Sequence, residues 1–95
     1  MERRVGEFIW KIEREIDNIA KHKVDFITAS KAFTDPGRKI FIDSKHSVNE
    51  DRYYCVGKVN DKIITVRYTS RDGLIRIFGA GYWRKGKRYY EKEND

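Results

Sequence analysis

The 95-residue sequence contains few of the residues that several classes of protein require. Cys55 is the only cysteine, and the chain has one proline and two histidines. A single thiol cannot form an intramolecular disulfide or a thiolate metal cluster, so we expect a protein of the reducing cytoplasm. No apolar run approaches the length that crosses a bilayer, so we expect no membrane association.

Common catalytic motifs are also missing. The sequence has no glycine-rich phosphate loop, no metal-binding spacing of His or Cys, and no serine elbow. We therefore expect no metal and no organic cofactor. The length suits one compact domain over residues 1–95 and is too short for two. Cys55 lies on a predicted strand, where a buried and unreactive thiol is expected.

The charge balance favours a polyanionic partner. Lys and Arg number 21 against 15 Asp and Glu, which gives a formal net charge of +6. A basic surface attracts phosphate backbones over long range, although the same charge also serves solubility. Aromatic residues make up 14% of the chain, and aromatic side chains beside basic ones are typical of RNA-binding surfaces as well as of small cores.

Two helices are predicted in the first third of the chain. Apolar residues recur at helical spacing and predict a helix over about residues 11–21, with Glu15 on its polar side. A second helix is predicted at about residues 27–33, with Asp25 or Thr28 as its N-terminal cap. The apolar positions that define the first pattern are Ile9, Ile12, Ile16, Ile19 and Ala20.

Apolar runs predict four strands, at residues 38–42, 52–59, 62–69 and 74–80. Asn60-Asp61 and Asp72-Gly73 predict tight turns that join the last three strands into an antiparallel meander. Residues 43–51 are predicted as a loop, and residues 82–92 as a short basic helix. The predicted fold class is therefore α+β: two N-terminal helices packed on one face of a four-stranded, mainly antiparallel sheet, with a short C-terminal helix.

Histidine is the side-chain type that titrates nearest to neutral pH, and it is the first candidate for proton transfer. His22 follows Lys21 at the end of the first predicted helix. There it is a candidate acid or base, and a purely structural interaction with the helix dipole is the alternative. His46 lies in the polar loop, where an exposed histidine without a function is expected.

Arginines alternate with apolar residues on the predicted strands. Arg67 and Arg76 have apolar neighbours, so they are predicted to face away from the apolar layer. Together with Arg52 and Arg71 they would form a concave phosphate-binding surface, whereas a lone strand arginine would only face solvent. Such a surface suits metal-free RNA cleavage, because the 2′-OH is the nucleophile and the protein supplies only a base, an acid and cations.

Several short motifs also occur in a fixed order along residues 8–81. They are FIW at 8–10; Asn18, Lys21-His22 and Val24-Asp25-Phe26; Ala29, Phe33 and Asp35-Pro36; Glu50-x-Arg52 and Gly57; and Thr69-x-Arg71 with Ile75-Arg76-Ile77. No single motif is specific. The ordered and nearly ungapped set resembles the BrnT family of toxins.

The resemblance implies a RelE-like fold and a ribonuclease that inhibits translation by cleaving RNA. It also implies neutralisation by a small DNA-binding antitoxin of the BrnA type, with operator DNA contacted only through the toxin–antitoxin complex. On the resemblance and the charge pattern, the predicted catalytic residues are Lys21, His22, Arg52 and Arg76. The predicted RNA-binding residues are Trp10, Arg67, Arg71, Arg84 and Lys85.

The sequence departs from the family pattern at Lys11, Lys23, Gly79, Gly81 and Gly86. The family usually has Gly at the position of Lys23, and Ser and Arg at the positions of Gly79 and Gly81. Arg84 or Lys85 would have to replace the charge of the missing Arg. The departures leave open a catalytically degenerate module that keeps RNA or antitoxin binding, and a third interpretation is a basic nucleic-acid-binding domain unrelated to toxins. RNA cleavage separates the first interpretation from the others, and co-purification with a small partner separates the second from the third.

Overall fold

A computed structural model describes residues 1–95 and contains three helices and a six-stranded mixed sheet. The helices are α1 (Ile12–His22), α2 (Phe26–Ser30) and α3 (Arg84–Glu93). The strands are β1 (Glu2–Val5), β2 (Phe8–Lys11), β3 (Lys39–Ile42), β4 (Arg52–Val59), β5 (Lys62–Arg71) and β6 (Leu74–Gly81). The strand order is β1-β2-β6-β5-β4-β3, and only β2 and β6 pair in parallel. No helix is both long and apolar enough to cross a membrane.

The three longest strands form the predicted antiparallel meander, β4-β5-β6. Asn60 and Asp61 both have positive φ angles, 50° and 66°, and Asp72 and Gly73 have φ angles of 55° and 79°. Two consecutive left-handed residues give the tight turn whose twist matches that of a hairpin. Both predicted turns are therefore confirmed.

The prediction of four strands is wrong because the chain begins with an additional hairpin. β1 and β2 pair antiparallel, and β2 then pairs with the start of β6. Ile9 fits the helical spacing, but it lies in β2, because a short apolar run such as residues 8–10 suits a strand as well as a helix. The second predicted helix is α2 followed by a 3₁₀ turn at Lys31–Thr34, and the loop contains a 3₁₀ turn at Ser44–His46.

The buried face of α1 differs from the predicted one. Glu15 and Asn18 are buried, whereas Ile16 and Ile19 are 62% and 43% exposed. The Asn18 side chain donates a hydrogen bond to the Ala80 carbonyl at 2.9 Å and accepts one from the Ala80 N–H at 3.1 Å. α1 thus closes the part of the β6 edge that β2 leaves open, and unpaired backbone groups at such an edge require a polar partner. Asn18 is buried for that reason, and Glu15 is buried because it accepts hydrogen bonds from the Trp10 indole N–H and the Phe26 backbone N–H.

The hydrophobic core lies on one face of the sheet, under α2 and the 3₁₀ turn that follows it. Gly57 of β4 allows this close packing, because a Cβ there would lie only 3.0 Å from Ala32 Cα. Cys55 is buried as predicted, and burial raises its thiol pKa to about 12, so it stays protonated. The core residues are Trp10, Val24, Phe26, Ala29, Ala32, Cys55, Val59, Ile64, Val66, Tyr68, Ile77 and Ala80.

The opposite face of the sheet carries arginine and aromatic side chains. Side chains alternate between the two faces along a strand, so Arg52, Arg67 and Arg71 point away from the core. α3 packs on this face at one end of the sheet, where Gly86 lies against the Thr65 side chain. The remainder of the face is open and contains the candidate site.

Candidate nucleic-acid interface

An arginine-rich pocket lies on the open face of the sheet. The register pairs Arg52 with Thr69 and Thr69 with Arg76, so the two arginines lie on one face, two strands apart. Arg71 follows Thr69 by two residues on β5 and therefore shares that face. This arginine pocket has a volume of about 280 Å³ and is lined by Glu2, Lys11, Arg14, Glu50, Arg52, Arg71, Arg76, Ile77 and Phe78.

A β-bulge brings Phe78 into the arginine pocket. The pairing of β5 with β6 shifts by one residue between Arg67 and Tyr68, which leaves Phe78 as the extra residue on β6. The guanidinium carbon of Arg52 lies 4.1 Å from the centroid of the Phe78 ring, and that of Arg14 lies 5.3 Å away. Cation–π contacts therefore hold two arginine side chains at this pocket, and bulges often re-aim side chains beside functional sites.

Two carboxylates pair with guanidinium groups of the arginine pocket. Glu2 accepts a hydrogen bond from Arg76 at 2.5 Å, and Glu50 pairs with Arg71 and lies 3.6 Å from Arg52. The hydrogen bond from Arg76 lowers the pKa of Glu2, and that from Arg71 lowers the pKa of Glu50. Carboxylate and phosphate oxygens bind a guanidinium in the same way, so these carboxylates mark positions suited to phosphate oxygens.

His46 lies beside the arginine pocket and contacts a buried aspartate. Its Nδ1 is 2.8 Å from the Asp43 carboxylate, and the Asp43 side chain is 9% exposed against 47% for His46. Burial opposes ionisation of Asp43, but hydrogen bonding with His46 and Tyr54 outweighs burial and holds the Asp43 pKa below its ordinary value. The carboxylate fixes the ring through Nδ1 and leaves Nε2 free. The depression at His46 shares Glu50, Arg52 and Arg71 with the arginine pocket.

His22 lies outside the arginine pocket, at the C-terminal end of α1. Its ring makes an edge-to-face contact with Trp83, with the centroids 5.2 Å apart. A linking groove joins His22 to the arginine pocket, because Arg14 and Phe78 line both. The groove is lined by Arg14, Asp17, Asn18, Lys21, His22, Arg67 and Phe78. Lys21 and His22 thus occupy a depression next to the arginine pocket and do not line the pocket itself.

An aromatic cavity adjoins the linking groove through His22 and Arg67, which line both. Its volume is about 470 Å³, and its lining residues are His22, Phe41, Tyr54, Thr65, Arg67, Trp83, Lys85 and Gly86. Two predicted RNA-binding residues, Arg67 and Lys85, line this cavity. Arg84 is exposed on α3 and lines neither the arginine pocket, the linking groove nor the aromatic cavity.

Trp10 is not accessible to RNA, which corrects one predicted contact. The side chain is fully buried, and its ring packs edge-to-face on Phe26 with the centroids 5.8 Å apart. The indole N–H donates to buried Glu15 at 3.1 Å, and the same carboxylate accepts the Phe26 backbone N–H at 2.8 Å. Trp10 therefore joins β2 to α1 and α2 within the core.

The sequence profile of one protein family matches residues 10–86 of the chain. The family is described as the ribonuclease toxin BrnT of type II toxin–antitoxin systems. The chain belongs to the BrnT toxin family. Membership implies an antitoxin partner. A search of curated proteins finds no match.

The motifs that this chain shares with BrnT toxins contribute to the core, to the arginine pocket and to the linking groove. Several apolar and amide members pack or pair inside the fold: Trp10, Asn18, Val24, Phe26, Ala29 and Gly57. Four charged members line the arginine pocket, namely Glu50, Arg52, Arg71 and Arg76, and Lys21 and His22 line the linking groove. The family pattern therefore combines residues that form the fold with residues that form one charged surface.

The sequence patterns did not indicate several residues of the candidate site. Arg14 precedes His22 by eight residues on α1, and this spacing could have indicated a shared helix face. Asp43 and His46 lie three residues apart in a polar segment, which is a weak signal until the loop geometry is known. No group of three or more His, Cys, Asp or Glu side chains is arranged to hold a metal ion.

Proposed function

We propose that this chain is an endoribonuclease toxin that cleaves RNA through attack of the internal 2′-OH on the adjacent phosphate. The observation that best supports the proposal is an arginine pocket that adjoins two depressions, each of which is lined by one histidine. Such a surface offers cations for the phosphate and two groups for proton transfer, and an internal nucleophile requires no metal. Family membership supports the ribonuclease class.

In this proposal the strand arginines bind the scissile phosphate. Arg52, Arg71 and Arg76 would replace their carboxylate partners with phosphate oxygens and stabilise the charge that develops during the reaction. Lys21 adds a cation along the linking groove and binds the neighbouring part of the RNA backbone. The net charge of +6 draws the RNA to this face.

The two histidines transfer the protons. In-line displacement keeps the attacking and leaving oxygens on opposite sides of the phosphorus, so the base and the acid must also lie on opposite sides. His22 accepts the proton of the 2′-OH, and His46 donates a proton to the leaving 5′-oxygen. Asp43 is a positioning residue, since its bond to Nδ1 fixes the ring of His46 beside the arginine pocket.

Family membership supports a proposed biological setting. RNA cleavage in the cytoplasm would stop translation, and a BrnA-type antitoxin would neutralise the toxin by covering the cationic surface with acidic or apolar residues. The complex, rather than the toxin alone, would bind operator DNA. We further propose that residues 1–95 act as one domain with a RelE-like fold.

Arg76→Gln tests the phosphate site. Purified protein is incubated with RNA in the presence of a chelator, and we expect cleavage to leave 2′,3′-cyclic phosphate ends. The variant should cleave about 10²–10³-fold more slowly, as when one oxyanion donor is removed. Arg88→Gln, an exposed arginine on α3, makes the same change in charge and should keep full activity. Equal loss in both variants would contradict the proposed phosphate site.

His22→Ala and His46→Ala test the proton-transfer roles in the same assay. Each should slow cleavage by about 10²–10⁴-fold while circular dichroism shows an unchanged fold. Growth arrest on expression should be lost in parallel. If one variant keeps full activity, that histidine has no catalytic role, and if both do, the proton-transfer groups lie elsewhere.

One observation favours a second function, that of a degenerate module. Gly79 and Gly81 occupy positions where the family usually has Ser and Arg, so the chain lacks one expected cation. A module of this kind would bind RNA and the antitoxin without cleaving RNA. Absence of cleavage by the unmodified chain, together with Arg76-dependent RNA binding, would favour it.

A further inference from the structure

Apart from His22, no residue that lines the aromatic cavity has a role in the mechanism proposed above. It lies on the open face of the sheet, next to α3, and its volume of about 470 Å³ is within the range of small-molecule sites. It is continuous with the linking groove, which leads to the arginine pocket. A nucleotide chain bound at the pocket would therefore pass the cavity.

Glycines keep the aromatic cavity open. A Cβ at Gly79 would lie 2.7 Å from Nη2 of Arg67, and a Cβ at Gly81 would lie 2.6 Å from Cε2 of Trp83. Either side chain would displace a wall of the cavity, because real Cβ atoms do not approach other atoms so closely. The absence of a side chain at both positions thus sets the position of the cavity walls.

The walls of the aromatic cavity combine ring faces with cations. Phe41 and Tyr54 stack with their centroids 4.9 Å apart, and Trp83 contacts His22. Arg67 and Lys85 supply positive charge, and no carboxylate lines the cavity. An aromatic and cationic lining without acidic groups suits a flat ring attached to an anionic backbone.

Two polar atoms at the aromatic cavity have no partner. Thr65 Oγ1 and Arg67 Nε are the buried side-chain nitrogen or oxygen atoms that form no hydrogen bond. Both residues line this cavity. Unpartnered buried polar groups are costly and uncommon, so their concentration at one cavity points to a ligand with a polar edge.

We infer that the aromatic cavity binds a nucleobase of single-stranded RNA next to the phosphate in the arginine pocket. The inference rests on the proposed ribonuclease function and adds a subsite to it. The base inserts between the aromatic walls, Arg67 and Thr65 face its polar edge, and the ribose lies along the linking groove near His22. Trp83 and Arg67 then determine which base is accepted.

Nuclear magnetic resonance of the full chain tests the inference directly. The two tryptophan indole N–H signals report two environments, since Trp83 lines the cavity and Trp10 is buried in the core. We expect ribonucleoside 5′-monophosphates to shift the Trp83 signal saturably and to leave the Trp10 signal unchanged. Ribose 5-phosphate, which carries the same phosphate without a base, should not shift the Trp83 signal.

Two variants and a matched control complete the test. Gly79→Ala would displace only the flexible end of Arg67, so the fold should persist, and Trp83→Ala removes a stacking wall. Each should weaken nucleotide binding by about tenfold or more, as for loss of a stacking side chain. Tyr82→Ala removes the adjacent exposed aromatic, which lies outside the cavity, and should change binding less than about twofold.

Three results would overturn the nucleobase site. The first is a Trp83 indole N–H shift with ribose 5-phosphate equal to that with the nucleotides. The second is a Trp83 signal that no nucleotide shifts. The third is a Trp83 signal that shifts with the antitoxin but with no nucleotide. In each case Arg76-dependent RNA cleavage would leave the proposed function intact. Conversely, base-dependent Trp83 shifts in a chain that cleaves no RNA would support the cavity and contradict the proposed ribonuclease activity.

Discussion

At the scale of single residues, the carboxylates of Glu2 and Glu50 satisfy the guanidinium groups of the arginine pocket. The Glu2 side chain is 43% exposed, so solvent screens its pairing with Arg76. A phosphate offers more charge and more oxygens than one carboxylate, so exchange of Glu2 for a phosphate is favourable. If RNA binds at the proposed site, the same carboxylate lowers its affinity, because the carboxylate competes for the guanidinium.

Replacement of Glu2 tests this competition. Glu2→Gln should strengthen RNA binding by about two- to fivefold, because the Glu2 carboxylate no longer competes with phosphate for Arg76. The gain is small because an exposed ion pair is weak. Fluorescence anisotropy with a labelled single-stranded RNA measures the change. Glu93→Gln alters the net charge equally on exposed α3 and serves as the control. A comparable gain in that control would assign the effect to overall charge rather than to competition at Arg76.

Lys23 shows how a departure from the family pattern can preserve backbone geometry. It has a φ of 61°, and its backbone N–H bonds to the Ile19 carbonyl at 3.0 Å, which ends α1. Glycine adopts this left-handed conformation without strain, and lysine does so at a cost of about 1 kcal/mol. α1 therefore ends where the family motif predicts, although the usual glycine is absent.

At the scale of elements, α1 buries two polar side chains and exposes two apolar ones. Asn18 and Glu15 bond the helix to β6 and to the start of α2, and Ile16 and Ile19 are left on the surface. Arg14 of the same helix lines the arginine pocket. A protein that buried the isoleucines would thus lie next to the proposed RNA site. We propose that this partner is the antitoxin implied by the family, held by apolar contacts here and acidic ones at the arginines.

Ile16→Lys tests the proposed antitoxin surface. Because burial of one isoleucine contributes about 1.5–3 kcal/mol, the variant should bind the antitoxin about tenfold or more weakly while still cleaving RNA. Isothermal titration calorimetry with the purified antitoxin measures the loss. Ile40→Lys is the control. Ile40 is 48% exposed on β3, an edge strand that pairs with neither β2 nor β6, the strands next to α1. If only the control weakens the complex, the antitoxin binds the β3 edge.

At the scale of the whole molecule, Asp35 connects segments distant in sequence. Its carboxylate accepts hydrogen bonds from the Tyr90 hydroxyl at 2.6 Å, the Lys58 N–H at 2.7 Å and the Gly37 N–H at 2.8 Å. Burial opposes its ionisation, but these bonds outweigh burial and hold the Asp35 pKa below its ordinary value of 3.8. The hydrogen bond between Tyr90 and Asp35 raises the pKa of Tyr90 to about 12. One ionised carboxylate thus ties α3 and β4 to the turn before β3.

Acid stability should depend on Asp35. A carboxyl group with a lowered pKa stabilises the fold above its unfolded-state pKa near 3.8, and this contribution is lost as the pH falls through the folded-state pKa. Asp35→Asn should therefore lower the free energy of unfolding by about 1–3 kcal/mol at pH 7. The difference from the unmodified chain should shrink as the pH falls below about 4.

Urea denaturation at pH 7 and at about pH 3 measures both effects. Asp95→Asn removes an exposed carboxylate that forms no side-chain hydrogen bond, and it should leave stability unchanged at both values. If Asp35→Asn lowers the free energy of unfolding equally at both pH values, the stabilisation comes from the hydrogen bonds and does not depend on the charge of Asp35.

The sequence alone determined the features of this protein that depend on local patterns. Alternating apolar strands and left-handed turn residues predicted the β4-β5-β6 meander, because hairpin twist and side-chain alternation are local properties. The ordered motifs identified the BrnT family. Alternation also predicted that Arg52, Arg71 and Arg76 share one face, which requires only the register of adjacent strands.

Only the tertiary structure decided which surfaces come together. The edge of β6 required a polar partner, so α1 buries Asn18 and exposes Ile16, against its own apolar pattern. The buried position of Trp10 also follows from packing between elements, which its sequence motif does not specify. The pairing of Asp43 with His46 and the opening of the aromatic cavity at Gly79 depend on loop geometry and on a bulge, and these contacts form only once the sheet and α3 are assembled.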